Sequence, residues 1–146
     1  MPAHAPKLSV LLIVCASLLL AACGQRAAAP TSSPKPATLE KVPGGDVARV
    51  ILSEEGARRI TLRTEPVRLQ EDGSRAMPYP AVIYDKAGAT WVYTAAAEPL
   101  TFVRQSVSVE AIKGDVALLK DGPPPGAQVV TVGVAELYGV EFGVGK

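Results

Sequence analysis

A chain of 146 residues with 15 Lys+Arg against 14 Asp+Glu carries a formal net charge of +1. That balance gives no basis for nucleic-acid binding or for adhesion to an anionic membrane surface. One His and two Cys leave little for general-base, thiol or metal chemistry, while 48% hydrophobic residues suffice for one small core.

The first segment, residues 1–22, reads as a lipoprotein signal peptide. Lys7 supplies the positive start and Leu8 to Leu20 the apolar core. That core is about 13 residues long, within the range of a secretory signal and short of a bilayer span. Leu20-Ala21-Ala22-Cys23 follows. Small residues before a cysteine resemble the lipobox of bacterial lipoproteins, whose cysteine receives a diacylglyceryl group and becomes the new N-terminus. The alternative is an ordinary cleavage site with an incidental cysteine. Cleavage before Cys23 would remove His4, Cys15 and Lys7, leaving no histidine and no free thiol. It would place the chain in the bacterial cell envelope, lipid-anchored and facing the periplasm. Gly24 is not the aspartate usually associated with inner-membrane retention, so either membrane is compatible.

Residues 23–45 read as a flexible tether. The stretch is rich in Ala, Ser, Gly and Pro, including Pro30, Pro34, Pro36 and Pro43-Gly44-Gly45, and has little to bury. A folded domain is expected over 46–142. Val47 to Leu52 predicts a strand, and Ser53-Glu54-Glu55 a capped helix start with acids in its first turn. Gly56 weakens this short helix, and Arg58 and Arg59 suit its end. Ile60 to Thr64 predicts a second strand, which Pro66 interrupts as an edge or bulge before Val67-Arg68-Leu69 continues it.

Asp72-Gly73 marks a hairpin turn. Pro78 and Pro80 argue against a central ladder over Met77–Pro80, after which Ala81 to Tyr84 can pair. Lys86-Ala87-Gly88 closes a hairpin onto Thr90-Trp91-Val92-Tyr93, and Ala95 to Pro99 is a loop. Phe102 to Val109 is the next strand, turning at Lys113-Gly114-Asp115 into Val116 to Leu119. Asp121 to Gly126 is a stiff connection, and Val129 to Val132 a last strand ended by Gly133. Ala135 to Tyr138 makes one helical turn, and 143–146 a frayed tail. About seven short strands and one short helix predict a mainly β fold: a small antiparallel β-barrel-like domain.

Taken in order, these pieces resemble the membrane-proximal β-domain of periplasmic adaptor subunits, the HlyD-like membrane fusion proteins of resistance-nodulation-division (RND) efflux pumps. That family has an early strand, short helix and strand. It then departs into a lipoyl-like domain and a long helical hairpin before its later strands return. Here Val50 to Glu55 and Thr61 to Thr64 resemble the early half. Met77 to Val82, Thr90 to Tyr93, Phe102 to Val109, Gly114-Asp115, Gly122 to Gly126, Val129 to Gly133 and Glu136-Leu137 resemble the later half. Only a turn remains between Leu69 and Met77, where the family carries its spacer, and Pro123-Pro124-Pro125 replaces the family's usual turn. The resemblance therefore implies an accessory or truncated adaptor, held to the membrane by its lipid, that binds an RND-type transporter or an adaptor subunit.

No residue pattern suggests an enzyme or a cofactor. Ser53, Ser74, Ser106 and Ser108 lack an activating context, and the adjacent Glu54 and Glu55 would point about 100° apart on a helix. Some adaptors for copper and silver pumps use methionines, but Met77 alone survives processing, so no metal site is expected. Asp72 and Asp85 read as turn residues rather than calcium ligands. Trp91, Tyr93 and Phe102 fit cross-strand packing. The candidates for an exposed contact are Trp91, Phe102 and Arg104, since aromatics and Arg are enriched at binding hot spots. The second functional reading is a periplasmic ligand-binding or sensing module with no transport role.

Overall fold

The computed structural model describes residues 35–42, 44 and 47–144. The signal segment, the lipidation residue Cys23, most of the tether and the last two residues of the tail lie outside the described residues.

The strand–helix–strand start forms as its local chemistry requires. Strand β2 (Ala48–Leu52) buries Val50 and Leu52 on one face. Ser53 caps helix α1 (Glu54–Arg59), its hydroxyl accepting the Gly56 N–H at 3.0 Å. The helix is two turns at most. Ile60 to Leu62 does not continue into a strand: the N–H groups of Ile60, Thr61 and Leu62 all bond back to helix carbonyls, and Thr61 has φ 53°. These bonds unwind the helix end locally, so strand β3 (Arg63–Pro66) starts three residues later than its β-branched sequence suggests.

Val67 follows β3 and is fully enclosed. Its N–H bonds Ala127 O and its C=O accepts Gly126 N–H. The alternation of an extended chain therefore turns the missing donor of Pro66 away from this ladder. Strand β4 (Arg68–Leu69) then turns through Asp72-Gly73 into β5 (Arg75–Pro78), with Leu69 opposite Arg75. Asp72 accepts both the N–H and the hydroxyl of Ser74, and those bonds hold its carboxyl below the usual carboxylate range.

In keeping with its prolines, Met77 and Pro78 pair, among the described residues, on one side only, opposite Ala117 and Val116 of strand β9 (Val116–Asp121), whereas Arg75 and Ala76 also pair with β4. Pro78 is tolerated because it is the terminal residue of the strand. A 3-10 turn (Tyr79–Ala81) delays pairing until β6 (Ile83–Tyr84). Next come β7 (Thr90–Ala95), β8 (Thr101–Lys113), β9 (Val116–Asp121) and β10 (Gln128–Val132). Strand β8 is long because it serves two layers. It pairs with β2 near its start, with β7 through its middle and with β9 at its end, and register shifts between Ser108 and Ala111 bend it.

The strands form a nearly closed antiparallel barrel in the order β3-β10-β7-β8-β9-β5-β4. The two ends of that path, β3 and β4, are halves of one extended stretch, 63–69, that changes neighbours at Val67. Two cores result from strict alternation. Val92 on β7 and Val129 on β10 point into the barrel with Val67, Met77, Val107 and Leu119. Their chain neighbours Tyr93 and Val130 point outward and pack with Val50, Phe102 and Leu137 under an outer layer.

That outer layer contains two elements of unexpected extent. Ala37–Lys41, inside the stretch read as tether, forms strand β1 and pairs with β2, Ala37 opposite Leu52 and Lys41 opposite Ala48. The single helical turn expected near Tyr138 extends to a nine-residue helix α2 (Val134–Phe142). Gly133 and Gly143, both left-handed, flank it, and the Val144 N–H bonds Gly139 O, so 143–144 form a helix cap.

Candidate docking surface

Trp91, Phe102 and Arg104 share the outward face of the β7–β8 ribbon, where Tyr93 lies opposite Arg104 and Ala95 opposite Phe102. The fold draws all three into internal packing. Phe102 is 3% exposed in the outer core and offers a partner no surface in this conformation. The Arg104 guanidinium lies 4.1 Å from the Trp91 ring centroid and 5.0 Å from that of Phe142. Its Nε donates to the Glu141 carboxylate, 3.2 Å from each oxygen. The Arg104 and Glu141 side chains are 9% and 4% exposed.

Tyr93 donates its hydroxyl to the same carboxylate at 2.5 Å. Burial, then the bond to Glu141, pushes that phenol far above its ordinary value. The Trp91 indole N–H donates to Asp85 Oδ2 at 3.0 Å. That bond, with the N–H groups of Ala87 and Ala89 on the other oxygen, holds the Asp85 carboxyl low and locks the β6–β7 turn. The cluster is therefore a fastening: Glu141 anchors the last turn of α2 to the barrel wall. Glu141 escaped the sequence reading, and with it the hydrogen bond of Tyr93, which was read only as cross-strand packing. Glu141 sits in a glycine-rich end whose helicity is visible only once α2 is packed.

No three or more His, Cys, Asp or Glu side chains among the described residues gather around a common point. No described helix is long and apolar enough to cross a membrane. Open surface is found at two strand edges. One is the end of β8: its pairing with β7 stops at Thr90–Val107, while Val109 to Lys113 keeps β9 on the other side only. Tyr84, Gly88, Val109 and Ile112 surround this mouth. The other is β1, which among the described residues pairs with β2 alone. Between it and α2 runs an apolar groove lined by Pro36, Ala37, Leu39, Gly139, Val140 and Val144.

Compared with protein-family models, with curated proteins and with solved structures, the chain gives no match.

Proposed function

We propose that this chain is a non-enzymatic docking module of the bacterial envelope. In this reading it is anchored by lipid at Cys23, faces the periplasm, and engages an RND-type transporter or adaptor subunit as an accessory or truncated adaptor. The observation that carries the reading is the closure of the early and late halves into one barrel. β2 pairs with β8 and β3 with β10, although a hairpin turn alone joins the halves at Asp72-Gly73. Leu69 and Arg75 stand side by side there, the arrangement needed at a point where a spacer domain is gained or lost. A filled barrel interior, with Val67, Met77 and Val92 enclosed, counts against the alternative of a ligand held inside the barrel.

The test places a photo-crosslinking residue at Ile112, on the exposed β8 mouth, in the full chain in native membranes. Capture of a transporter or adaptor subunit is the expected result. Recovery of neither, from Ile112 and from Tyr84 alike, would overturn the reading.

A further inference from the structure

We infer that two copies of this chain pair edge to edge through β1, antiparallel, about a two-fold axis at Leu39. This goes beyond the docking reading above and uses a different edge. Pro36 O accepts the Ser53 N–H at 3.0 Å and the Val42 N–H bonds Val47 O, so backbone groups at even positions of this stretch aim toward β2. Alternation turns the N–H and C=O groups of Ala37, Leu39 and Lys41 the other way, onto the open edge. Three donors and three acceptors in a row form a template for another strand.

The charges discriminate among registers of β1 on a second β1. Centred on Leu39, a second β1 sets Ala37 opposite Lys41, Leu39 opposite Leu39 and Lys41 opposite Ala37, so every edge group finds its complement. The same register sets each Thr38 hydroxyl opposite a Glu40 carboxylate on the face away from α2. Shifting the centre to Thr38 brings Lys35 opposite Lys41, and shifting it to Glu40 brings two Glu40 carboxylates together. Directly opposed like charges are unfavourable, so of these three registers the one centred on Leu39 is favoured.

The groove supplies the apolar part of the same contact. Leu39 is 43% exposed on the face that carries Ala37 and looks toward α2. Under the two-fold, each Leu39 covers its counterpart, and the α2 helices of both copies wall the joined sheet on one side. Val140 and Val144 then border a shared apolar strip in place of an open groove.

Leu39→Cys in the full membrane-anchored chain is the direct test. Hydrogen-bonded antiparallel pairs hold Cα atoms about 5.5 Å apart, within disulfide range. Mild oxidation is expected to give a disulfide-linked dimer from Leu39→Cys and none from Lys120→Cys, an exposed site on β9. In detergent, Thr38→Glu sets like charges opposite each other twice and is expected to weaken self-association about tenfold or more, with a melting temperature unchanged at dilutions where both chains are monomeric. Equal crosslinking at both cysteines, sedimentation of the unmodified chain as a monomer, or a Thr38→Glu chain that dimerises as well as the unmodified one each overturn the inference. Capture at Ile112 is read separately, so either proposal can fail alone.

Discussion

At the residue scale, the Arg104–Glu141 pair carries the largest single stake. Removing one member of a buried ion pair strands the other charge, which typically costs about 3–5 kcal/mol. Glu141→Ala is expected to lower the urea midpoint by a corresponding amount. The triple replacement Tyr93→Phe, Arg104→Met, Glu141→Leu should recover most of that loss, because no buried charge or hydroxyl then lacks a partner. Tyr93 predicts an alkaline response. Its folded-state proton is held far above the ordinary value of 10.0, so its contribution is complete below that pH. Above it, the unfolded chain releases the proton while the folded chain keeps it. Stability then falls by about 1.4 kcal/mol per pH unit for this one group. Urea titrations below and above pH 10 should show Tyr93→Phe losing that share of the slope. Of these residues the sequence marked Trp91 and Tyr93 for cross-strand packing, and Trp91 and Arg104 as candidates for an exposed contact. An arginine beside aromatics carries the same signature at a docking site and in a buried stack; the choice depends on Glu141, 37 residues away in the chain.

At the element scale, Gly56 illustrates how a local reading can have the right residue and the wrong reason. On propensity alone Gly56→Ala should stabilise α1 by up to about 1 kcal/mol. In the fold, a Cβ on Gly56 would lie 2.2 Å from the Pro36 carbonyl oxygen, a backbone atom at the entry to β1. We therefore expect Gly56→Ala to destabilise the chain and to release the Ala37–Lys41 ladder first. Faster hydrogen exchange in that strand, with barrel amides such as Val92 still protected, is the measurement. Gly133 imposes a similar limit with its φ of 94°, since its position also abuts Ile60 and Leu62. Elements set by local chemistry were legible: the Ser53 cap, the Asp72-Gly73 and Asp85 turns, the alternation in β7 and β10. β1 and α2 were not, because neither forms on its own preferences. β1 is a strand only because β2 offers a ladder, and α2 is held by Leu137 in the outer core and Glu141 on the barrel wall.

For the whole molecule, the β4–β5 turn is the natural site for extra chain. Loop closure costs only about 0.6 kcal/mol per doubling of length. A flexible insert of roughly twenty residues after Asp72 is therefore expected to cost about 1–2 kcal/mol and to leave the far-UV spectrum unchanged. The same insert after Pro66 should abolish cooperative unfolding, because it separates the two neighbours that meet at Val67. Chemical denaturation of both variants tests the contrast. The barrel class itself was readable from the rhythm of short strands and turns. The way it shuts was not, since nothing local in Arg63–Leu69 says that it borders two strands from different parts of the chain.

That border has a temporal consequence. Residues 63–69 are synthesised well before their backbone partners at Gly126 to Val132. Until that late stretch arrives, neither side of the seam has its hydrogen-bond complement, and pairings so distant in sequence are slow to nucleate. A chain emerging from its N-terminus would thus stay pliant along this seam until residues 126–132 have been delivered.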